Sequence, residues 1–445
     1  MSSLAGAGTA SAAPAPARLP SALGRCSRLP AAEFARDHWD RAPLLSRAAD
    51  LPEPFHDLLS APAVDEMVTG RGLRLPFFRM VRDGETLPAS SVTRSVISGD
   101  RRIGDMADPD RVREHFAEGA TLVLQSLHRS HPPLVRFCRE LADELGHPTQ
   151  CNAYVTPPGS QGFAAHHDTH DVFVLQVDGS KRWNIYPPVH PLPLADQSGK
   201  GRDEDGRLLA DDATPVLSVE LQPGDALYLP RGFVHAAETA EDRSIHLTVG
   251  ILVHRWHDVL RDLVTLAGQD LEYRAALPLA AADAAELGGE DGKRRLDLAA
   301  FLRRTADWVE KSDPDSLAEL LRERLGRGRP AEALGPLAAQ RSAEQFDAET
   351  WVRLREGVSW TLEAAADEDR VMLRLPDRDV SWPGATETAL RLALSGAPVC
   401  ASELAALTAA SPVSAEQEAA LDVPGAVVML RRLLREGALI PLAGP

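Results

Sequence analysis

The chain has 445 residues, with 65 acidic against 48 basic side chains, a formal net charge of −17 and 44% apolar residues. At roughly 100–200 residues per domain, this length predicts two to four domains, and the ordinary apolar fraction excludes a wholly disordered or collagen-like chain. No run approaches the ~18 consecutive apolar residues of a membrane-spanning helix, and the acidity argues against nucleic acid as main ligand and for a basic protein partner.

The four cysteines, Cys26, Cys138, Cys151 and Cys400, lie far apart without a CxxC pair. That spacing excludes a zinc ribbon and a dense disulfide framework, and predicts a reducing, cytoplasmic setting. Residues 1–32 are rich in Ala, Pro, Ser and Gly, with Arg18, Arg25 and Arg28 as the only charges. Pro14, Pro16 and Pro20 break any apolar core of a secretory signal, so the segment reads as a disordered tail. From residue 33 a helix is expected through Phe34–Trp39, followed by Pro43-Leu44-Leu45 and then irregular polar chain. Residues 121–129 read as a strand. Leu134, Phe137, Cys138, Leu141 and Leu145 recur at helical spacing, predicting an amphipathic helix that ends near Gly146.

Between 148 and 254 the pattern changes to short strands, expected at about 150–156, 171–178, 181–187, 216–221, 225–229, 233–238 and 244–252. Gly, Pro and Asp clusters separate them, which predicts an antiparallel barrel or jelly roll. Ala195–Thr214 carries six acids, three bases and three glycines and is expected to be a surface loop. Apolar stripes at 259–266, 296–309 and 317–325 predict three helices that pack on the barrel or on a second subunit. The last hundred residues predict a small separate domain, with helices near 385–395, 401–409 and 424–436 and an edge strand at 438–442. It looks like a winged helix, but 15 acids against 9 bases over 346–445 make DNA reading an unfavoured role.

Chemistry concentrates in Gly162-Phe-Ala-Ala-His166-His167-Asp168-Thr-His170-Asp171. Side chains two apart on an extended chain share a face, so His166 and Asp168 can grip one ion. Taken alone, the pair reads as a polar turn. A second imidazole would complete a two-His-one-carboxylate set with open positions, which suits non-haem Fe(II) and oxygen chemistry. Pro223-Gly224-Asp225 followed by Pro230-Arg-Gly232-Phe-Val-His235 supplies it, because two turns frame a strand that delivers His235 to the inner wall. This segment resembles the second metal motif of the cupin superfamily. Lys181 sits within apolar strands, where burial without an anion is costly, although a strand-end lysine in solvent is the alternative reading. His167 is expected to point away from the ligands and His190 to lie on the surface; His170 and Asp171 begin the next strand and are expected in a solvated turn, with support of the ligands from behind as the alternative. His246 is expected behind the ligands rather than among them.

Together with Asn152-Ala-Tyr154-Val-Thr156-Pro157-Pro158, Phe173-Val-Leu-Gln176, Gly179-x-Lys181-x-Trp183 and Pro230-Arg-Gly232-x-x-His235-x-Ala237, these motifs resemble the JmjC-domain ribosomal oxygenases. Members are Fe(II)- and 2-oxoglutarate-dependent protein hydroxylases. The resemblance is dense over about 120–254 and looser over 33–120. It implies an α+β fold: a double-stranded β-helix (jelly-roll/cupin) catalytic domain over 33–254, a helical dimerisation region over 255–345 and a winged-helix-like domain over 346–445. It also implies His166, Asp168 and His235 as iron ligands, Lys181 as partner of the distal carboxylate of 2-oxoglutarate, and Tyr154 and Asn152 near cofactor and target. A homodimer acting on a basic, ribosomal protein is the implied assembly, with no direct nucleic-acid binding and no membrane contact. One departure touches the target: the serine that follows the Leu-His-Leu-Thr strand in the histidine-hydroxylating branch is Gly250 here, which leaves His and Arg both open. Small-molecule hydroxylation and lysine demethylation are the competing activities; a non-enzymatic scaffold would need none of these residues.

Overall fold

The computed structural model describes residues 20–160, 165–197, 214–239, 242–276, 298–327, 331–365, 369–375, 377–410 and 421–442. The chain divides into two compact units, Met1–Arg255 and Trp256–Pro445.

The first unit is built on an antiparallel β-sandwich. Its larger sheet contains β1 (Leu44–Ser46), β2 (Phe78–Arg82), β3 (Glu85–Thr86), β6 (Thr121–Leu124), β7 (Thr149–Thr156), β8 (Asp171–Asp178), β11 (Ala226–Leu229) and β13 (Ser244–Ile251). Their order is β1-β11-β8-β13-β7-β6-β2-β3. The smaller sheet has β9 (Lys181–Pro188) at its centre, between β10 (Leu217–Leu221) and β12 (Phe233–Thr239). A separate hairpin pairs β4 (Thr93–Ser98) with β5 (Arg101–Ala107). All pairings are antiparallel, and the order of β8, β11 and β13 shows the crossovers of a jelly roll.

Period-two alternation sorts the side chains between two cores. On β7, Cys151, Ala153 and Val155 join the cluster that includes Phe34, Leu134, Phe137 and Leu141 from the covering helices and Phe55 from a connecting bend. On β13, Ile245, Leu247, Val249 and Ile251 do the same, as do Phe173 and Leu175 on β8. The opposite faces look between the sheets, where Val172, Val174, Leu227 and Leu229 meet Trp183, Ile185, Val219 and Leu221. The main covering helix is Pro132–Leu145, which ends on Gly146 at φ 74, as its sequence predicted. Only a residue without a β-carbon takes that left-handed cap at little cost.

The structure corrects several expectations. The disordered tail over 1–32 extends too far, because Ala22–Cys26 is a helix with Leu23 and Cys26 in the core. Both oxygens of Glu144 accept backbone N–H groups at its start, at 2.8 and 2.9 Å from the Ala22 and Leu23 nitrogens. Residues 1–19 lie outside the described residues, as does most of the charged segment 195–214. The strand expected over 121–129 stops at Leu124, and a short helix, Leu127–Ser130, follows a left-handed Ser126 at φ 56. The region taken as irregular polar chain holds β2 to β5 and the helices Ala61–Gly70 and Pro109–Ala117.

In the second unit, Trp256–Ala267, Leu298–Lys311 and Pro314–Arg327 are helices. The Arg324 Nε donates to Asp262 Oδ2 at 2.8 Å, joining the first to the third. A further helix, Pro336–Gln345, escaped the sequence reading and carries Ala343 into the core formed with Phe346, Leu390, Leu404, Leu430 and Leu433. The helices Glu387–Ala393, Ala401–Ala410 and Val423–Arg435 supply that core. The edge strand β18 (Leu439–Pro441) pairs with β14 (Val352–Leu354), and β15 (Thr361–Ala364), β16 (Arg370–Leu375) and β17 (Arg378–Pro383) form a three-stranded sheet. Among the described residues no helix is long and apolar enough to cross a membrane.

Candidate metal centre and cofactor pocket

The inward faces of β7, β8 and β13 wall a cavity of about 300 Å³, closed by β9 and β12. Three rows of paired residues make the wall: Gln150–Gly250–Val172, Asn152–Thr248–Val174 and Tyr154–His246–Gln176. Tyr154 stacks on His246, with ring centroids 5.0 Å apart and planes at 3°.

His166, Asp168 and His235 converge on this cavity, each offering a ligand atom within 4.8 Å of the others. The backbone sets the convergence: His166 and His235 form an isolated antiparallel bridge, with N–H to O=C distances of 3.1 and 2.8 Å. The Gly232 N–H donates to the Asp168 carbonyl at 3.0 Å, so the turn before β12 is tied to the loop before β8. Gly232 sits at φ +88, where a β-carbon would lie 2.4 Å from the His190 carbonyl oxygen, so this turn needs glycine. His235 Nε2 lies 3.9 Å from Asp168 Oδ2, and its Nδ1 lies 3.1 Å from the Phe233 carbonyl. Burial, and then the neighbouring His166, push the His235 pKa down to about 4, which keeps the ring neutral and its lone pair available at neutral pH. Burial works to raise the Asp168 carboxyl, but the surrounding His235, His170, His166 and His167 outweigh it and hold it below the usual carboxylate range. Two imidazoles and a carboxylate fit a divalent first-row cation, and the donor set suits iron.

Lys181 lies in the same cavity with only 3% of its surface exposed. Its Nζ donates to Thr156 Oγ1 at 3.3 Å, and among the described residues no carboxylate pairs with it. Burial lowers its pKa to about 8. A buried cation without a counter-charge is costly unless an anion arrives. Its position follows from the β8–β9 hairpin, where Gly179 at φ +61 turns and the Gln176 amide bonds the Asp178 and Gly179 carbonyls and Ser244 Oγ. Burial, and then Lys181, drive His246 well below its usual pKa, so it is neutral.

Tyr154 and Asn152 also line the cavity; burial raises the Tyr154 pKa, and Asn152 Oδ1 accepts the Ser126 N–H at 2.9 Å. His167 turns to the Gln197 carbonyl at 2.9 Å, and His190 is exposed. The solvated turn expected at His170 and Asp171 is corrected. Asp171 is fully buried, where it accepts the Tyr228 hydroxyl and, at 3.1 Å, the Arg231 backbone N–H and Nη1. Arg231 in turn pairs with Asp40. This network clamps the start of β8 to the turn that leads to His235. His170 itself lines the cavity, as do Arg79, Gln150, Trp183 and Thr248, none of which the motifs singled out as functional.

Residues 124–259 match the family model of the JmjC domain. The chain is thus similar to JmjC-domain proteins over that stretch. It is 34% identical over 257 residues to ribosomal oxygenase 1 of Gallus gallus, a match covering 56% of this chain and 40% of that protein. It is 30% identical over 255 residues to the bifunctional lysine-specific demethylase and histidyl-hydroxylase NO66 of Drosophila persimilis, covering 56% and 35%. The chain thus aligns with well under half the length of these curated relatives. Among solved structures, the Escherichia coli ribosomal oxygenase YcfD in complex with cobalt and 2-oxoglutarate matches with a TM-score of 0.50 at 17% identity, over 93% of this chain and 99% of that one. At that identity the likeness establishes the fold.

Proposed function

We propose that this protein is an Fe(II)- and 2-oxoglutarate-dependent oxygenase that hydroxylates a side chain of a ribosomal or other basic protein. The observation that carries the reading is one cavity holding both the His166–Asp168–His235 donor set and a buried, uncompensated Lys181. The relatives named ribosomal oxygenase, and a neighbour bound to cobalt and 2-oxoglutarate, support it.

His166, Asp168 and His235 would hold the iron, and Lys181 would bind the far carboxylate of 2-oxoglutarate by a charge-assisted bond. Iron held there would supply oxygen activation coupled to decarboxylation of 2-oxoglutarate to succinate and CO2, chemistry that would place a hydroxyl on the target carbon. The chain's own part is placement and dryness. Val172, Val174 and Trp183 present apolar surface to the cavity, which excludes water beside the reacting centre. Tyr154 and Asn152 would flank cofactor and target.

Asp168 is the only acid among the lining residues described, and Arg79 adds a guanidinium. A lysine or arginine target would enter without a spare counter-charge, which favours the histidine alternative over arginine and over demethylation. The net charge of −17 attracts a basic protein at low salt. Exposed Leu260 and Val264 on Trp256–Ala267, with Phe301 and Leu302 on Leu298–Lys311, support a homodimer. The helices and strands after residue 345 support a winged-helix-like domain with a docking role rather than nucleic-acid binding. Four buried free cysteines accord with a reducing cytoplasm.

The test is incubation of iron-loaded protein with 2-oxoglutarate and ribosomal proteins, followed by mass spectrometry. A one-oxygen gain on a single side chain with matching succinate supports the reading. Succinate at background with every substrate, unchanged by His166→Ala, sinks it. Formaldehyde release would instead mark demethylation.

A further inference from the structure

The three rows of the inner wall are not alike. Asn152–Thr248–Val174 and Tyr154–His246–Gln176 carry a side chain on every strand, whereas the row Gln150–Gly250–Val172 lacks one at its centre. The space is filled. A β-carbon built at Gly250 would lie 2.7 Å from Cδ2 and 2.8 Å from Nε2 of His170, and 3.1 Å from Cγ of Gln150. Contacts that short are not sustained by packed atoms, so the imidazole rests directly on the Gly250 backbone. Gly250 has an ordinary strand conformation, so neither a turn nor a positive φ calls for glycine here.

His170 lines the same cavity as the metal-ligand set, is half-buried, and makes no hydrogen bond to any described residue. Its neighbour Asp171 is held by the Tyr228 and Arg231 network, which fixes the backbone from which the ring projects. A half-buried ring with uncommitted nitrogens, seated in a slot made by a missing side chain, is placed to meet a ligand.

We propose that His170 is the side chain that contacts the target residue, and that Gly250 is glycine so that this imidazole can occupy the gap in the wall. The pair then sets which side chain the site accepts: His170 narrows the cavity at the Gln150 edge and offers a hydrogen-bonding nitrogen. This inference rests on the oxygenase reading and assigns the determinant of its target.

The test compares the parent protein with Gly250→Ala, His170→Ala and the double variant. Each is assayed for anaerobic Fe(II) content, 2-oxoglutarate binding and kinetics on an arrayed peptide library covering ribosomal proteins. A lost target contact raises KM for the marked peptide about tenfold or more, with a smaller fall in kcat. Both single variants are expected to show this, the methyl added by Gly250→Ala acting by displacing the ring, and the double variant should be no worse than His170→Ala. An unchanged KM in His170→Ala, or losses that multiply in the double variant, would overturn the proposal. So would a fall in Fe(II) affinity of about 10–100-fold in His170→Ala, which is the signature of a group that supports the metal ligands. His170→Ala opens space without adding a clash, so misfolding of Gly250→Ala would leave the test standing. A parent protein that binds Fe(II) and 2-oxoglutarate yet marks no peptide and forms no succinate removes the oxygenase reading itself, and this inference with it.

Discussion

Lys181 gives a prediction with two opposite signs. Its pKa falls from 10.5 to about 8 through burial. At about 1.4 kcal/mol per pKa unit, holding the cation in the empty pocket costs the fold about 3 kcal/mol at neutral pH. Lys181→Met keeps the length of the side chain and removes the charge, so the metal-free, cofactor-free protein should become more stable by up to about 3 kcal/mol. Thr156 Oγ1 loses its lysine donor but keeps the Thr121 hydroxyl at 3.3 Å. The same change deletes the proposed charge-assisted bond to the distal carboxylate, worth about 1.5–3 kcal/mol, and should weaken 2-oxoglutarate binding about 10- to 150-fold. The pH dependence follows from the lowered pKa. Between about 8 and 10.5 the unfolded chain still holds the proton that the folded one has released. Parent stability should therefore rise across that window relative to the variant, while 2-oxoglutarate affinity falls above pH 8. Urea unfolding of the apo protein and calorimetry with Co(II) and 2-oxoglutarate read both. A variant destabilised by more than about 1 kcal/mol, or one that binds 2-oxoglutarate as the parent does, refutes the reasoning.

Three further outcomes are expected. Gly179→Ala places a β-carbon 1.7 Å from the Arg243 carbonyl oxygen at φ +61, and should cost more than about 2 kcal/mol in urea unfolding by displacing the hairpin that presents Lys181. Arg231→Met leaves the Asp171 carboxylate buried without its cation and should cost about 3–5 kcal/mol, seen as a lowered Tm, with weaker Fe(II) binding because the turn before His235 is released. Leu260→Glu with Val264→Glu adds charge to two exposed apolar positions of one helix; light scattering should report a dimer for the parent and a monomer for this variant.

The seven strands between 148 and 254 were legible because each is bounded by turn residues and carries β-branched or apolar runs. The candidate metal-ligand set was legible because His166, Asp168 and His235 are held by local backbone devices, a two-residue spacing and two proline-glycine turns. The remainder of the pocket was legible in principle. On β7 the polar Gln150, Asn152, Tyr154 and Thr156 alternate with Cys151, Ala153 and Val155, which is a two-faced strand and names its inward residues. Arg79 offered no such signal, since β2 is short and lies in the stretch read as irregular polar chain, and its partner β6 lies about forty residues on. Asp171 was misread because a carboxylate beside a turn looks solvated until its partners Tyr228 and Arg231, about sixty residues away, are seen to enclose it. The buried helix Ala22–Cys26 was hidden by its composition: Ala, Gly and Arg read as tail, and although Ser21 Oγ caps it locally by accepting the Gly24 N–H, the groups that tie down its start come from Glu144 on a distant helix.

Anaerobic titration with Fe(II), read by metal analysis after gel filtration, tests the core of the account. One iron per chain should bind, and His166→Ala, Asp168→Ala and His235→Ala should each abolish it while the protein stays folded. Iron retained in full by all three variants, or absent from the parent, would contradict it.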